Sequence, residues 1–121
     1  MSTGFELFAV GPEVASLEEV AAEYNGGTLR TFGTVDRLRG ALSTVSCTFH
    51  AKGAVVEDER CGWTLDLGFS FEGGEVSSIT VYLAPRAGAA GFPMPAATLV
   101  AEVAAALGGS AFHRDSGARV K

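Results

Sequence analysis

The chain has 121 residues, of which 47% are apolar and 19% charged, a composition that supports one core and excludes an intrinsically disordered chain. Its longest unbroken strongly apolar run is residues 103–107, far short of the roughly 20 residues needed to cross a bilayer. The net charge of −5 resides wholly in residues 1–29, which hold Glu6, Glu13, Glu18, Glu19 and Glu23 and no Lys or Arg; the remainder has no concentrated basic patch for nucleic acid, so a basic protein is the natural partner.

Phe5 to Val10 alternates imperfectly and runs into Gly11-Pro12, which predicts a first strand ended by a turn. Ser16-Leu17-Glu18-Glu19 is a capping box, in which the Ser16 hydroxyl accepts from the Glu19 amide and the Glu19 carboxylate reaches back to the Ser16 amide. Leu17, Val20, Ala21 and Tyr24 follow at helical spacing, and Asn25-Gly26-Gly27 stops the helix. Thr28 to Phe32 is a short strand candidate. Thr34 then caps a second helix with Asp36 near its positive end and Val35, Leu38 and Leu42 as its apolar stripe.

From Val45 the period becomes two, with Val45, Cys47 and Phe49 on one face of a strand and Ser46, Thr48 and His50 on the other. Ala54 to Val56 is another short strand, leading to a solvated acidic turn at Glu57-Asp58-Glu59-Arg60. Trp63, Leu65, Leu67, Phe69 and Phe71 mark one apolar face of a long strand, and Ile79, Val81 and Leu83 mark its partner. For Leu67 to share a face with Ile79 or Val81, opposed residues must sum to an even number, which predicts a three-residue loop at Gly73-Gly74-Glu75. Pro85 to Pro95 is a crossover loop. Ala96, Leu99, Val100, Val103 and Leu107 define a third helix stopped by Gly108-Gly109, and Arg114 to Gly117 turns a terminal hairpin. These elements make one α+β domain over residues 1–121, a mostly antiparallel sheet of five to seven strands with three helices on one face.

No motif for a cofactor or metal is present. Cys47, His50, Cys61 and His113 are the whole Cys and His complement; only Cys47 and His50 have ligand spacing, and on a strand they point to opposite faces. Neither cysteine sits at a nucleophile elbow or a helix start, and both are expected as reduced thiols. The glycine pairs match no phosphate-binding loop. The first basic residue is Arg30, so no secretory or transit leader is expected and the cytoplasm is the default location.

Two surfaces qualify as candidate sites. On the first helix, Glu18 and Glu19 favour the helix start, but Glu23 lies one turn beyond Glu19 near the negative end, where repulsion and the dipole both oppose it. The three acids are either a solvated face or a docking surface for a basic partner. The polar face of the central sheet is the second, with Thr64, Asp66, Ser70, Ser78, Thr80 and Tyr82, joined by Ser46, Thr48 and His50 if that strand is adjacent.

The strand Phe5-Glu6-Leu7-Phe8-Ala9-Val10, the segment Thr64-Leu65-Asp66-Leu67, the hairpin from Gly74 to Val81 and the ending from Ala106-Leu107-Gly108-Gly109 to Asp115-Ser116-Gly117 resemble a group of small bacterial proteins. Many of that group are presumed immunity proteins of polymorphic or contact-dependent toxin systems. The resemblance implies a non-catalytic protein that neutralises a cognate toxin by occluding its active site, with Glu18, Glu19, Glu23, Asp66 and Tyr82 as the partner-binding candidates. A small-ligand or peptide-binding module using the open sheet face, homodimeric or not, is the alternative, and a small enzyme a third.

Overall fold

A computed structural model describes residues 4–11, 13–27, 30–85 and 94–120. The chain runs β1 (Gly4–Phe8), α1 (Leu17–Asn25), α2 (Val35–Ala41), β2 (Cys47–His50), β3 (Gly53–Val56), β4 (Trp63–Glu72), β5 (Glu75–Pro85), α3 (Ala96–Ala106) and β6 (Ser110–His113). The strands form one six-stranded sheet in the order β2-β3-β4-β5-β1-β6, and every named pair is antiparallel. The fold is α+β, as the patterning predicts. Pro12, residues 28–29 and residues 86–93 lie outside the described residues, so the first turn, the start of the Thr28 strand and most of the crossover loop are not characterised. Arg30 makes a single bridge to Ala9.

Register places the odd-numbered apolar residues together. Leu67 pairs with Val81 and Ala54, Leu65 with Leu83 and Val56, and Leu7 with Ile79 and Ala111. Leu7, Leu65, Leu67, Ile79 and Val81 are fully buried beneath Leu99, Val100 and Val103 of α3 and Leu38 of α2. Trp63, Phe69, Leu83 and Leu107 close the margin of this core.

The hairpin differs from the three-residue loop. Glu72 pairs with Glu75, leaving a two-residue turn whose glycines have φ of 60° and 85°, the left-handed pair that a type I′ turn requires. The even sum is recovered past a bulge: Phe71 pairs with Val76 but Ser70 with Ser78, which leaves Ser77 as the extra residue. The Ser77 hydroxyl donates to the Ser70 carbonyl at 3.1 Å. The bulge also turns Val76, an even-numbered residue, into the core, where it is fully buried.

The expectation of three helices on one face is corrected for α1. Phe112 pairs with Glu6, which pairs with Thr80, so Phe112 and Phe8 project from the face opposite Leu7. There Phe112 (0% exposed), Val14 and Val20 form a second cluster with Phe8, Val10 and Leu17. The sheet is therefore covered by α2 and α3 on one side and, over β1 and β6 alone, by α1 on the other. The C-terminal segment fastens this arrangement. The Leu17 amide donates to the Gly117 carbonyl at 2.8 Å, Ser16 bridges Ala118, and the Val120 amide donates to Ala111 at 2.8 Å. The terminal hairpin is present, and it seals the outer edge of β6.

Gly109, just past α3, is required by proximity. A Cβ there would meet the Phe8 carbonyl at 2.5 Å and the Phe32 ring at 2.6 Å.

Candidate docking face

Because α1 covers only the β1 and β6 end, no helix or strand among the described residues covers the rest of that sheet face. One row across it reads Thr48, Val55, Asp66 and Tyr82, and the next reads His50, Gly53, Gly68, Thr80, Glu6 and Phe112. Asp66 and Tyr82 stand directly opposite each other on β4 and β5 and both are exposed, Tyr82 by 52%. The polar face expected from alternation is thus assembled, and β2 does extend it.

Its hydrogen-bonded cluster around Glu6 was not singled out from the sequence. The Thr80 hydroxyl donates to both oxygens of Glu6, at 3.1 and 3.3 Å, and Arg114 Nε contacts Glu6 Oε1 at 3.2 Å. The Arg114 guanidinium lies over the Tyr82 ring, 5.6 Å from its centroid, a cation–π contact. Burial pushes the Glu6 carboxyl above the usual glutamate range, outweighing the Thr80 hydrogen bond and the Arg114 charge, which both pull it down. These groups satisfy one another, and Arg114 packs over the Tyr82 ring. Nothing local links Glu6 to Arg114; only the β1–β6 pairing brings them together.

The acids of α1 belong to the same side of the sheet. Glu18 is exposed. Glu19 is engaged at the helix start: its amide donates to Ser16 Oγ at 3.4 Å, and its carboxylate accepts from the amide of Ala15, one residue before the expected partner Ser16. Ser16 is instead held in its bridge to Ala118. Glu23, which helix energetics alone leaves unexplained, is half-buried with Oε1 beside Gly11, 3.8 Å from where a Cβ there would stand.

The acidic turn at residues 57–60 is not simply solvated. Asp58 is 8% exposed and takes three hydrogen bonds from Arg60: the amide at 2.8 Å, Nε at 3.0 Å and a terminal guanidinium nitrogen at 2.8 Å. That nitrogen also bonds Glu102 of α3 at 3.0 Å, and these carboxylates raise the Arg60 pKa further. The cluster fastens the β3–β4 loop to α3 on the far side of the molecule.

Cys47 and Cys61 form no disulfide, and burial pushes the Cys47 thiol up, the opposite of nucleophile activation. Cys47 faces the core side while His50 faces the open side, since their register partners Val56 and Gly53 alternate likewise. Among the described residues no group of three His, Cys, Asp or Glu side chains could hold a metal ion, and no helix is long and apolar enough to cross a membrane.

Comparisons with protein families, with curated proteins and with solved structures each found no match.

Proposed function

We propose that this chain is a non-catalytic protein-binding domain, an immunity protein that neutralises a cognate bacterial toxin by occluding its active site. One observation carries the reading: the acidic helix and the Asp66–Tyr82 face, which the sequence offers as alternatives, stand on the same side of the sheet. They combine into a stepped docking side, a polar floor with an aromatic centre and a wall whose charged residues are all acidic. Such a surface suits a partner with a basic face, whose approach it accelerates by electrostatic steering. Glu18, Glu19, Glu23, Asp66 and Tyr82 are the proposed contacts, with Glu19 also serving the helix cap. The assignment to toxin immunity follows the resemblance of β1, β4, the β4–β5 hairpin and the chain after α3.

The test is to identify what co-purifies with the chain in its native host, then to follow growth of cells producing that candidate toxin with and without the chain, together with binding kinetics of the purified pair. Protection is expected, with an association rate that falls as salt rises. Glu18→Lys with Asp66→Lys should slow association severalfold, and Tyr82→Ala should speed dissociation. An unprotected culture and no complex at micromolar concentration would overturn the proposal.

A further inference from the structure

At the step between wall and floor lies a groove of about 270 Å³, lined by Phe8, Leu17, Val20, Ala21, Tyr24 and Asn25. Its walls follow from α1. Val20 turns inward and is buried against Phe112, and Leu17 is half-buried, whereas Ala21 and Tyr24 remain exposed, Tyr24 by 60%. Small Ala21 between larger neighbours makes the hollow, and Phe8 reaches it from β1. Since Val20 packs toward Phe112 on the edge strand β6 while Phe8 belongs to β1, the groove lies on the side of α1 that adjoins the open sheet.

The space matches one side chain: an apolar protein cavity of about 150 Å³ already accepts benzene. The charged residues of α1 itself have one sign. Glu18 stands one turn before Ala21 on the helix surface, at the groove's lip, whereas Glu23 lies on the opposite flank of Val20, away from the groove. No Lys or Arg occurs on α1. An apolar hollow with a carboxylate at its lip complements an apolar anchor that carries a positive charge, and it disfavours the same anchor beside a carboxylate.

We infer that this groove is an anchor pocket for one aromatic or branched aliphatic side chain on a cationic segment of a protein partner. The identity of that partner rests on the proposed function; the pocket's chemistry does not. A partner segment with its anchor seated here would place its following residues over Thr80 and Tyr82, so the groove would fix the register of the docked chain.

The full chain is titrated with phenethylammonium and with 3-phenylpropanoate, which carry the same ring and tether with opposite charge, while amide and methyl resonances are followed by NMR. The expected result is shifts centred on Leu17, Val20, Ala21 and Tyr24, with the cation binding severalfold more tightly. Glu18→Gln should narrow that difference, and Ala21→Trp should abolish both titrations; if Trp unfolds the chain, Ala21→Leu should weaken both. Absence of shifts at the groove up to millimolar ligand, or equal or tighter binding of the anion, overturns the inference. With the toxin pair, full protection by a folded Ala21→Trp variant alongside loss on Tyr82→Ala would overturn the anchor role while sparing the proposed function. Cation-selective binding by a chain that protects against no toxin would support the pocket and refute the immunity reading.

Discussion

Replacing Phe112 with Ala removes the centre of the cluster that holds α1 to the sheet. The ring is fully buried, between Val14 and Val20 on one side and Phe8, 6.3 Å away centroid to centroid, on the other. Losing roughly 150 Å² of buried aromatic surface at about 25 cal/mol per Å² costs about 4 kcal/mol. That agrees with the range of about 3 to 5 kcal/mol for truncating a buried Phe. Such a loss is a large share of the roughly 5 to 15 kcal/mol that stabilises an ordinary domain. It should not fall evenly. Helix α1 has nine residues, fewer than the roughly 12 to 15 an isolated helix needs to be even marginal in water, and its apolar contacts run through this cluster rather than the main core. Amide hydrogen exchange of residues 17–25 should therefore accelerate far more than that of α3, while urea unfolding registers the global loss. Protection of α1 unchanged relative to α3, or a total loss below about 1 kcal/mol, would refute the placement of α1 on its own face of the sheet.

Truncating Leu67 to Ala should cost about 2 to 5 kcal/mol in urea unfolding, since it is fully buried at the middle of the other face; a loss below about 1 kcal/mol would mean the faces are reversed. Gly109→Ala should cost about 1 to 3 kcal/mol through overpacking against the Phe8 carbonyl and the Phe32 ring, and a neutral result would show that this approach is loose. For Glu6, the raised folded-state pKa means the folded chain binds more protons than the unfolded one just above the ordinary glutamate value, so the group's contribution is present below that value and lost as pH rises through the folded one. Relative to Glu6→Gln, the wild-type chain should lose stability as pH rises from the ordinary glutamate value, and a gain over that rise would refute the dominance of burial. Thermal unfolding should be unmoved by chelator or reductant, since neither cysteine is in a disulfide; a large drop with either would reject a fold that stands on its packing alone.

Local pattern carried the elements well wherever a single neighbour decides the outcome. Ser16 and Thr34 cap α1 and α2 because a hydroxyl and an amide three residues on suffice for the bond. Strict alternation in β4 and β5 gave the buried face, yet it could not show that the return to even register happens through a bulge at Ser77 instead of a third loop residue. The side chosen by α1 was written less plainly. Leu7-Phe8 and Ala111-Phe112 break alternation, and consecutive apolar residues mark strands buried on both faces. The imperfect alternation of β1 was that signal. Asp58 looked solvated because its partners are Arg60, bent back by a turn, and, through that arginine, Glu102 of a distant helix. The Glu6–Arg114 pair likewise depends on strand order, which no short window encodes. For the candidate site, Asp66 and Tyr82 were legible from parity, whereas the groove beside Ala21 required knowing what α1 leans against.

The position of β1 has a consequence for how the chain comes to be made. This strand lies between β5 and β6, and its partners are residues 79–82 and 110–113. On a ribosome it emerges long before either neighbour, and the β2-β3-β4-β5 meander can assemble without it. Phe5, Leu7 and Phe8 must then wait as an unpaired apolar strand until β5 arrives, and the face that α1 covers is completed only when β6 and the segment that seals it emerge. A sheet closed by pairings this distant in sequence folds on the slow side for its size, and the waiting strand is where a nascent chain is most exposed to aggregation.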